Sequence, residues 1–208
     1  MKRIIIAITG ATGTIYGSRL IEMLRNEGDT EIHLVMSQSA KLTLKMEHDV
    51  GPDYINTLAH EVHQAGNIGA SISSGSFHSA GMIIAPCSIK TMSNIAMGNT
   101  GDLISRAADV ILKERRPLII AIRETPLHAG HLESLMKLAN LGAVIFPPVP
   151  AFYNRPTTLQ EIVDQSCMRM LDQLDVHVES APRWGELGGV PAVGQSIEGG
   201  KAKTESKS

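Results

Sequence analysis

The feature that most constrains this chain is the run Ile4-Ile5-Ile6-Ala7-Ile8-Thr9, which stops at Gly10-Ala11-Thr12-Gly13. A short run with almost no polar side chain reads as a strand covered on both faces, since a half-buried strand would alternate. Such a strand needs helices on each side, and helical crossovers make the sheet parallel. The next residues supply the first crossover. Tyr16, Leu20, Met23 and Leu24 recur at helical spacing up to Gly28, and residues 31–36 read as a second strand with Ile32, Leu34 and Met36 on one face. Further apolar runs at 81–85, 117–122 and 143–146 alternate with helical stretches at 89–97, 102–114, 127–141 and 157–174. The alternation predicts one α/β domain over residues 1–185, with a mostly parallel sheet between two helical layers. Residues 66–79, rich in Gly and Ser, read as a functional loop. From residue 186 the chain loses all periodicity and reads as a disordered tail.

Composition removes several function classes. The 208 residues suffice for one sizeable domain, and a net charge of −2 with 3% aromatic residues argues against nucleic-acid binding. The two cysteines, Cys87 and Cys167, have neither zinc-type nor redox-motif spacing, which predicts reduced thiols in a cytoplasmic protein. The apolar run after Lys2-Arg3 is too short for a signal segment, and no stretch reaches membrane-span length, so no membrane association is expected.

Gly10-Ala11-Thr12-Gly13, with Gly17 one turn into the helix, has the composition of a phosphate-binding turn at a helix N-terminus. A dinucleotide fingerprint would add a third spaced glycine and an acidic residue closing the second strand. That strand instead ends in Met36-Ser37-Gln38-Ser39, which favours a mononucleotide. Ala85-Pro86-Cys87-Ser88-Ile89-Lys90-Thr91 follows another buried strand and opens a helix, with Ser88 as ligand contact or simple N-cap. Cys87 has no histidine near it in sequence and reads as a buried, inert thiol. Arg106 and Lys113, seven apart, share a helical face. Arg123-Glu124 ends an apolar strand, where the guanidinium serves either a bound anion or an ion pair. Pro147-Pro148-Val149-Pro150 fixes a rigid loop presenting Phe152 and Tyr153. His128 and His131 lie three apart on a helix without an evident third ligand, so no metal is expected.

Taken in order, these segments resemble the UbiX-type flavin prenyltransferases, including the small B subunits of phenolic-acid decarboxylase systems. The matching pieces are Thr9–Gly13 with Tyr16-Gly17, Ser73-Ser74-Gly75-Ser76-Phe77, and Pro86–Thr91. Downstream they continue with Arg106–Val110, Leu112–Arg115, Arg123–Leu127, Pro147–Tyr153 and Arg183-Trp184, so the likeness spans about residues 1–185. The resemblance implies a Rossmann-like, flavodoxin-type three-layer fold and a homododecamer with active sites at subunit contacts. It implies transfer of a dimethylallyl group from dimethylallyl phosphate to N5 and C6 of reduced flavin mononucleotide (FMN). The prenylated FMN would be handed to a UbiD-type decarboxylase.

Carried onto this sequence, the flavin contacts fall on Gly10, Ala11, Thr12, Ser37, Ser88, Ile89, Lys90, Thr91 and Arg123. Donor contacts fall on Lys113, Arg123, Glu124, Tyr153 and Arg169, with Arg106 lining the site and Trp184 facing the allyl group. Glu47 matches an acidic residue near the flavin, which makes Glu124, Lys113, Arg123, Trp184 and Glu47 the expected catalytic set. Thr12 replaces the serine found in many members. With no metal, the cationic side chains must carry the phosphate charge. Two alternatives stand beside this reading: an FMN-dependent cysteine decarboxylase, and a non-catalytic flavin-carrying subunit. The first would carry a Pro-Ala-Ser-Ala-Asn-Thr stretch where this chain has Ala85–Thr91, and the second would lack the basic cluster.

Overall fold

The computed structural model describes residues 1–178; Arg183, Trp184 and the expected tail from 186 lie outside the described residues. The elements run β1 (Lys2–Ile8), α1 (Thr14–Glu27), β2 (Thr30–Met36), α2 (Gln38–Glu47), α3 (Pro52–Leu58) and β3 (Glu61–Gln64). They continue with β4 (Gly81–Cys87), α4 (Ile89–Met97), α5 (Leu103–Lys113), β5 (Leu118–Ile122), α6 (Ala129–Asn140), β6 (Val144–Ile145) and α7 (Leu159–Asp172).

All six strands pair in parallel, in the order β3-β2-β1-β4-β5-β6. That is the Rossmann order; without the four-residue edge strand β3 it becomes the five-stranded flavodoxin order. Both orders reverse direction beside β1, and a crevice opens there at the carboxyl ends of the strands. The expected burial of the first strand is met: Ile4 to Ile8 are each at most 1% exposed. Ile4, Ile6 and Ile8 pack with α1, Leu44 of α2, Ile55 of α3 and α7. Ile5 and Ala7 face α4, α5 and α6. Alternate residues of one strand thus serve two cores.

Gly17 explains how close α1 lies to the sheet. A β-carbon there would fall on the Ala85 carbonyl oxygen and the Ile8 side chain. Only glycine permits this approach.

Helices and strands predicted outside residues 37–65 are present within a few residues of their expected ends. Three elements between β2 and residue 66 carry no clear periodic signal. α2 buries only Ala40 and Leu44, while Leu42 and Met46 stay exposed. α3 spans seven residues, and β3 is a polar edge strand in which only His63 is buried. Among the described residues, no helix is long and apolar enough to cross a membrane.

Candidate active site

Three helices begin where β1, β2 and β4 end, so their first turns gather at the carboxyl edge of the sheet. The β1 end is fixed by Thr9, which is buried. Its hydroxyl donates to the Pro86 carbonyl at 2.7 Å and accepts from the Ser88 amide at 2.7 Å. The turn from β1 into α1 is therefore anchored to the turn from β4 into α4. Ser37 caps α2 by accepting the Ala40 amide at 3.0 Å, and its hydroxyl lies 3.1 Å from that of Ser39. Ser88 caps α4 by accepting the Thr91 amide and donates to the Thr91 hydroxyl at 3.2 Å. The capping reading of Ser88 is thus correct, and Ile89 and Lys90 form the first turn behind it. Gly10 closes the group, because a β-carbon there would collide with the Ser39 side chain.

The first turn of α1 differs from the sequence expectation of free amides. Its N-cap, Gly13, is left-handed at φ 94° and supplies no capping side chain. The cap comes from Glu47, at the far end of α2. That carboxylate accepts from the Gly13 amide at 3.0 Å, the Thr14 amide at 2.8 Å and the Thr14 hydroxyl at 2.7 Å. Burial pushes the Glu47 carboxyl up, but hydrogen bonds from Thr12, Thr14 and Gly13 together prevail and hold it below its ordinary value. An anion at a helix N-terminus is also favoured by the helix dipole. The anion here is Glu47, and the Ala11 amide donates to the Thr9 carbonyl at 2.9 Å, so the hydrogen-bonding capacity left for a ligand lies with the Gly10 and Thr12 amides and the hydroxyls at the starts of α2 and α4.

Arg123 enters from β5. Its amide donates to the Cys87 carbonyl at 3.4 Å, and its Nε donates to the Thr12 carbonyl at 3.3 Å. The guanidinium carbon lies 6.0 Å from the centre of the Tyr16 ring, whose hydroxyl is pushed up by burial, a shift the nearby Arg123 charge opposes. Among the described residues Arg123 forms no ion pair, so of its two sequence readings the ion pair is not the one adopted. Thr12 and Arg123–Thr125 form one wall of a crevice of about 450 Å³, and residues 147–150 form the other. The proline-dense loop is held at its start by the Phe146 amide, which donates to the Ile120 carbonyl at 2.9 Å.

Not every expected residue reaches this crevice within one chain. α5 begins beside the carboxyl end of β3, where the Leu103 amide donates to the Ala65 carbonyl at 2.8 Å, and it ends beside the start of β5. Arg106, in its first turn, donates from Nε to the Ser73 carbonyl at 3.2 Å and pairs with Asp109 at 3.1 Å. Lys113, in its last turn, is exposed and pairs with Glu114 beside Gly75. Lys113 thus sits at the amino edge of the sheet and Arg123 at the carboxyl edge, about 16 Å apart along the five residues of β5. Tyr153 accepts a long contact of 3.5 Å from Gln165 of α7. Arg169 follows Gln165 by four residues and is exposed on the same helix.

The buried, inert reading of Cys87 agrees with the structure, and the two histidines 128 and 131 are placed at the start of α6. Cys87 is fully buried at the end of β4, and burial pushes its thiol far up, as it does for Cys167. His128 is the N-cap of α6, its ring stacked on that of His131 at 3.5 Å. Sequence reasoning missed Ser39, although a second hydroxyl two residues after Ser37 was there to signal it.

Comparison with known proteins places this geometry. The Flavoprotein family model matches residues 1–171. The flavin prenyltransferase UbiX of Escherichia coli K12 is 54% identical over 176 residues, covering 85% of this chain and 93% of that protein. The crystal structure of AnUbiX (PadA1) in complex with FMN and dimethylallyl pyrophosphate superposes with a TM-score of 0.87 at 47% identity. That match covers 88% of this chain and 97% of the other. A dodecameric FMN-dependent UbiX-like decarboxylase from Escherichia coli O157:H7 gives a TM-score of 0.86 at 43% identity, covering 88% and 98% of the two chains.

Proposed function

The chain belongs to the Flavoprotein family and, within it, to the UbiX-type flavin prenyltransferases, and from that premise we propose that it transfers a dimethylallyl group to FMN. The observation that carries the reading is Arg123 with Glu124, set beside Thr12 in one wall of the crevice, at the edge of the sheet where the Ser37 and Ser88 caps also lie. The donor set fits the mononucleotide. Gly10, bare of a side chain, packs directly on Ser39 and so brings the turn and the α2 cap together, and the hydroxyls of Ser37, Ser39, Ser88 and Thr91 suit phosphate oxygens. When bound and reduced, FMN supplies N5 and C6 as the carbon-accepting atoms.

The residues of the chain do the rest. Arg123 is steered by Thr12 and the Tyr16 ring toward the crevice, where charge-assisted hydrogen bonds to a prenyl phosphate contribute roughly 1.5–3 kcal/mol each. Glu124, exposed beside it, moves a proton between the phosphate and solvent. The wall at 147–150 excludes water from one side. Glu47 keeps the Gly13 and Thr14 amides engaged, so the α1 N-terminus stays ordered with or without ligand. Tyr153 and Arg169 bind the donor phosphate from the α7 side, and the role of Trp184 toward the allyl group rests on the resemblance alone. Lys113 reaches the same site from a second copy of the chain, since within one chain it lies across the sheet, and Arg106 lines the site. This supports an assembled site at subunit contacts, in a homododecamer. The product passes to a UbiD-type decarboxylase, and the two buried free thiols support a cytoplasmic setting.

The test is direct. The purified chain is incubated with reduced FMN and either dimethylallyl monophosphate or the diphosphate, and the flavin mass is measured. A gain of one prenyl unit is expected; no gain with either donor refutes the proposal.

A further inference from the structure

A second cluster of chemistry-bearing residues lies on the other side of the sheet edge, away from the crevice. The parallel register of β2 and β3 sets Glu61 opposite His33 and His63 opposite Val35, so His33, Glu61 and His63 project to one face. Both histidines are buried, and the Glu61 side chain is 53% exposed. His33 Nδ1 lies 3.0 Å from His63 Nε2 and 3.4 Å from Glu61 Oε2. The other nitrogen of His33, Nε2, lies 3.1 Å from Glu31 Oε1. His63 Nδ1 lies 3.6 Å from Glu61 Oε1.

Counting protons decides what this arrangement lacks. Two neutral imidazoles carry two N–H groups in all. Glu31 can only accept, so His33 Nε2 carries one of them and His33 Nδ1 presents a lone pair. One N–H remains, on His63. If it sits on Nε2 and points at His33, His63 Nδ1 turns a lone pair toward the Glu61 carboxylate. If it sits on Nδ1 and points at Glu61, the lone pairs of His33 Nδ1 and His63 Nε2 face each other at 3.0 Å. In the second tautomer the two lone pairs and Glu61 Oε2 converge, and a cation satisfies all three.

We infer that His33, His63 and Glu61 form a divalent transition-metal site of the zinc class, remote from the flavin crevice. Nitrogen and oxygen ligands about 2.0–2.1 Å from tetrahedral zinc stand about 3.3 Å from one another; two of the three edges here are 3.0 and 3.4 Å, and all three ligand atoms lie within 4.8 Å of one another. Glu31 orients His33 from behind, the carboxylate–histidine arrangement that metal ligands commonly have. The inner side is closed by Phe77, its ring edge-on to His33 at 4.8 Å and itself covered by Arg3 at 5.2 Å. The exposed Glu61 side is left as the route of entry and the place for a water ligand. Bound there, the metal pins the four-residue edge strand β3 to β2 and steadies the loop that carries Phe77. The missed signal in the sequence is weak because His33 and His63 are thirty residues apart. Their meeting depends on strand register. The site has no part in prenyl transfer, so it stands or falls independently of that proposal.

The experiment uses the full chain, treated with chelator and then titrated with ZnCl2 by calorimetry, with metal content measured after gel filtration. One equivalent per chain is expected, and CoCl2 in its place should give the visible d–d bands of tetrahedral cobalt. His63→Ala should abolish binding, and Glu61→Gln should weaken it at least about tenfold. His131→Ala, at the other histidine pair, should leave it unchanged. Glu61 is exposed, so Glu61→Gln carries the test even if His63→Ala fails to fold. Failure of the wild-type chain to retain zinc overturns the inference. Equal affinity in wild type and Glu61→Gln also overturns it.

Discussion

Glu47→Gln is the substitution that most sharply tests how the α1 end of the site is built. The carboxylate accepts from two backbone amides and the Thr14 hydroxyl, all between 2.7 and 3.0 Å. A carboxamide of the same shape can keep its oxygen where Oε2 accepts from both amides, but it loses the charge and sets an NH2 group in place of Oε1, 3.0 Å from the Gly13 amide, so the cap is weakened at Gly13. Loss of an N-cap costs about 0.5–2 kcal/mol, and loss of an anion at a helix N-terminus about 0.3–1 kcal/mol. Glu47 is partly exposed, so solvent screening keeps the total near the lower half, about 1–2 kcal/mol. For a domain of this size that lowers Tm by about 2–8 °C. The pH dependence has a definite sign. The folded carboxyl lies below its ordinary value of 4.5, so its stabilisation is complete above that value and is lost as pH falls through the lowered folded value. The assay is thermal unfolding followed by circular dichroism, without flavin and at matched protein concentration, at pH 7 and near pH 3. The wild-type chain should exceed Glu47→Gln at pH 7, and the gap should narrow in acid. Equal Tm values at pH 7, or an undiminished gap near pH 3, would refute the assignment of Glu47 as the cap of α1.

Gly17→Ala should lower Tm by about 2–8 °C. Its methyl group meets a backbone carbonyl that cannot yield, so overpacking of about 2–3 kcal/mol exceeds the roughly 1 kcal/mol gained in helix propensity; an unchanged or raised Tm would contradict the packing described. Cys87 and Cys167, both buried with thiols pushed up, should resist a thiol reagent in the native chain at pH 8 and react on unfolding; rapid native labelling of either would place it outside the core. Arg123→Lys should reduce prenyl transfer by more than it reduces FMN retention, because an ammonium cannot keep both the Thr12 contact and a forked hold on phosphate; equal loss of the two, measured by flavin mass and flavin absorbance, would remove Arg123 from the donor side.

Much of this protein was written in local pattern. The unbroken run from Ile4 to Ile8 dictated a strand covered on both faces, and from it a parallel sheet with two helical layers. The glycine turn, the small hydroxyls after β2 and β4, and the arginine after β5 were legible because each follows a buried strand. Strand ends of that kind are where an open α/β sheet gathers its ligand contacts.

Tertiary structure decided what depends on residues distant in sequence. Glu47 reaches Gly13 across 34 positions because α2 folds back over α1, so the glycine turn has its helix amides already occupied by a side chain. The strand length between Lys113 and Arg123 is a matter of which way α5 runs, and it separates the two cations onto opposite edges of the sheet. His33, Glu61 and His63 meet only through the register of β2 on β3, which a shift of one residue would undo. Sequence by itself determined which residues must be buried and which chemistry the strand ends carry, because burial period and residue type are local. Only the packed chain determined which of those groups face one another, because that follows from crossover direction and strand register.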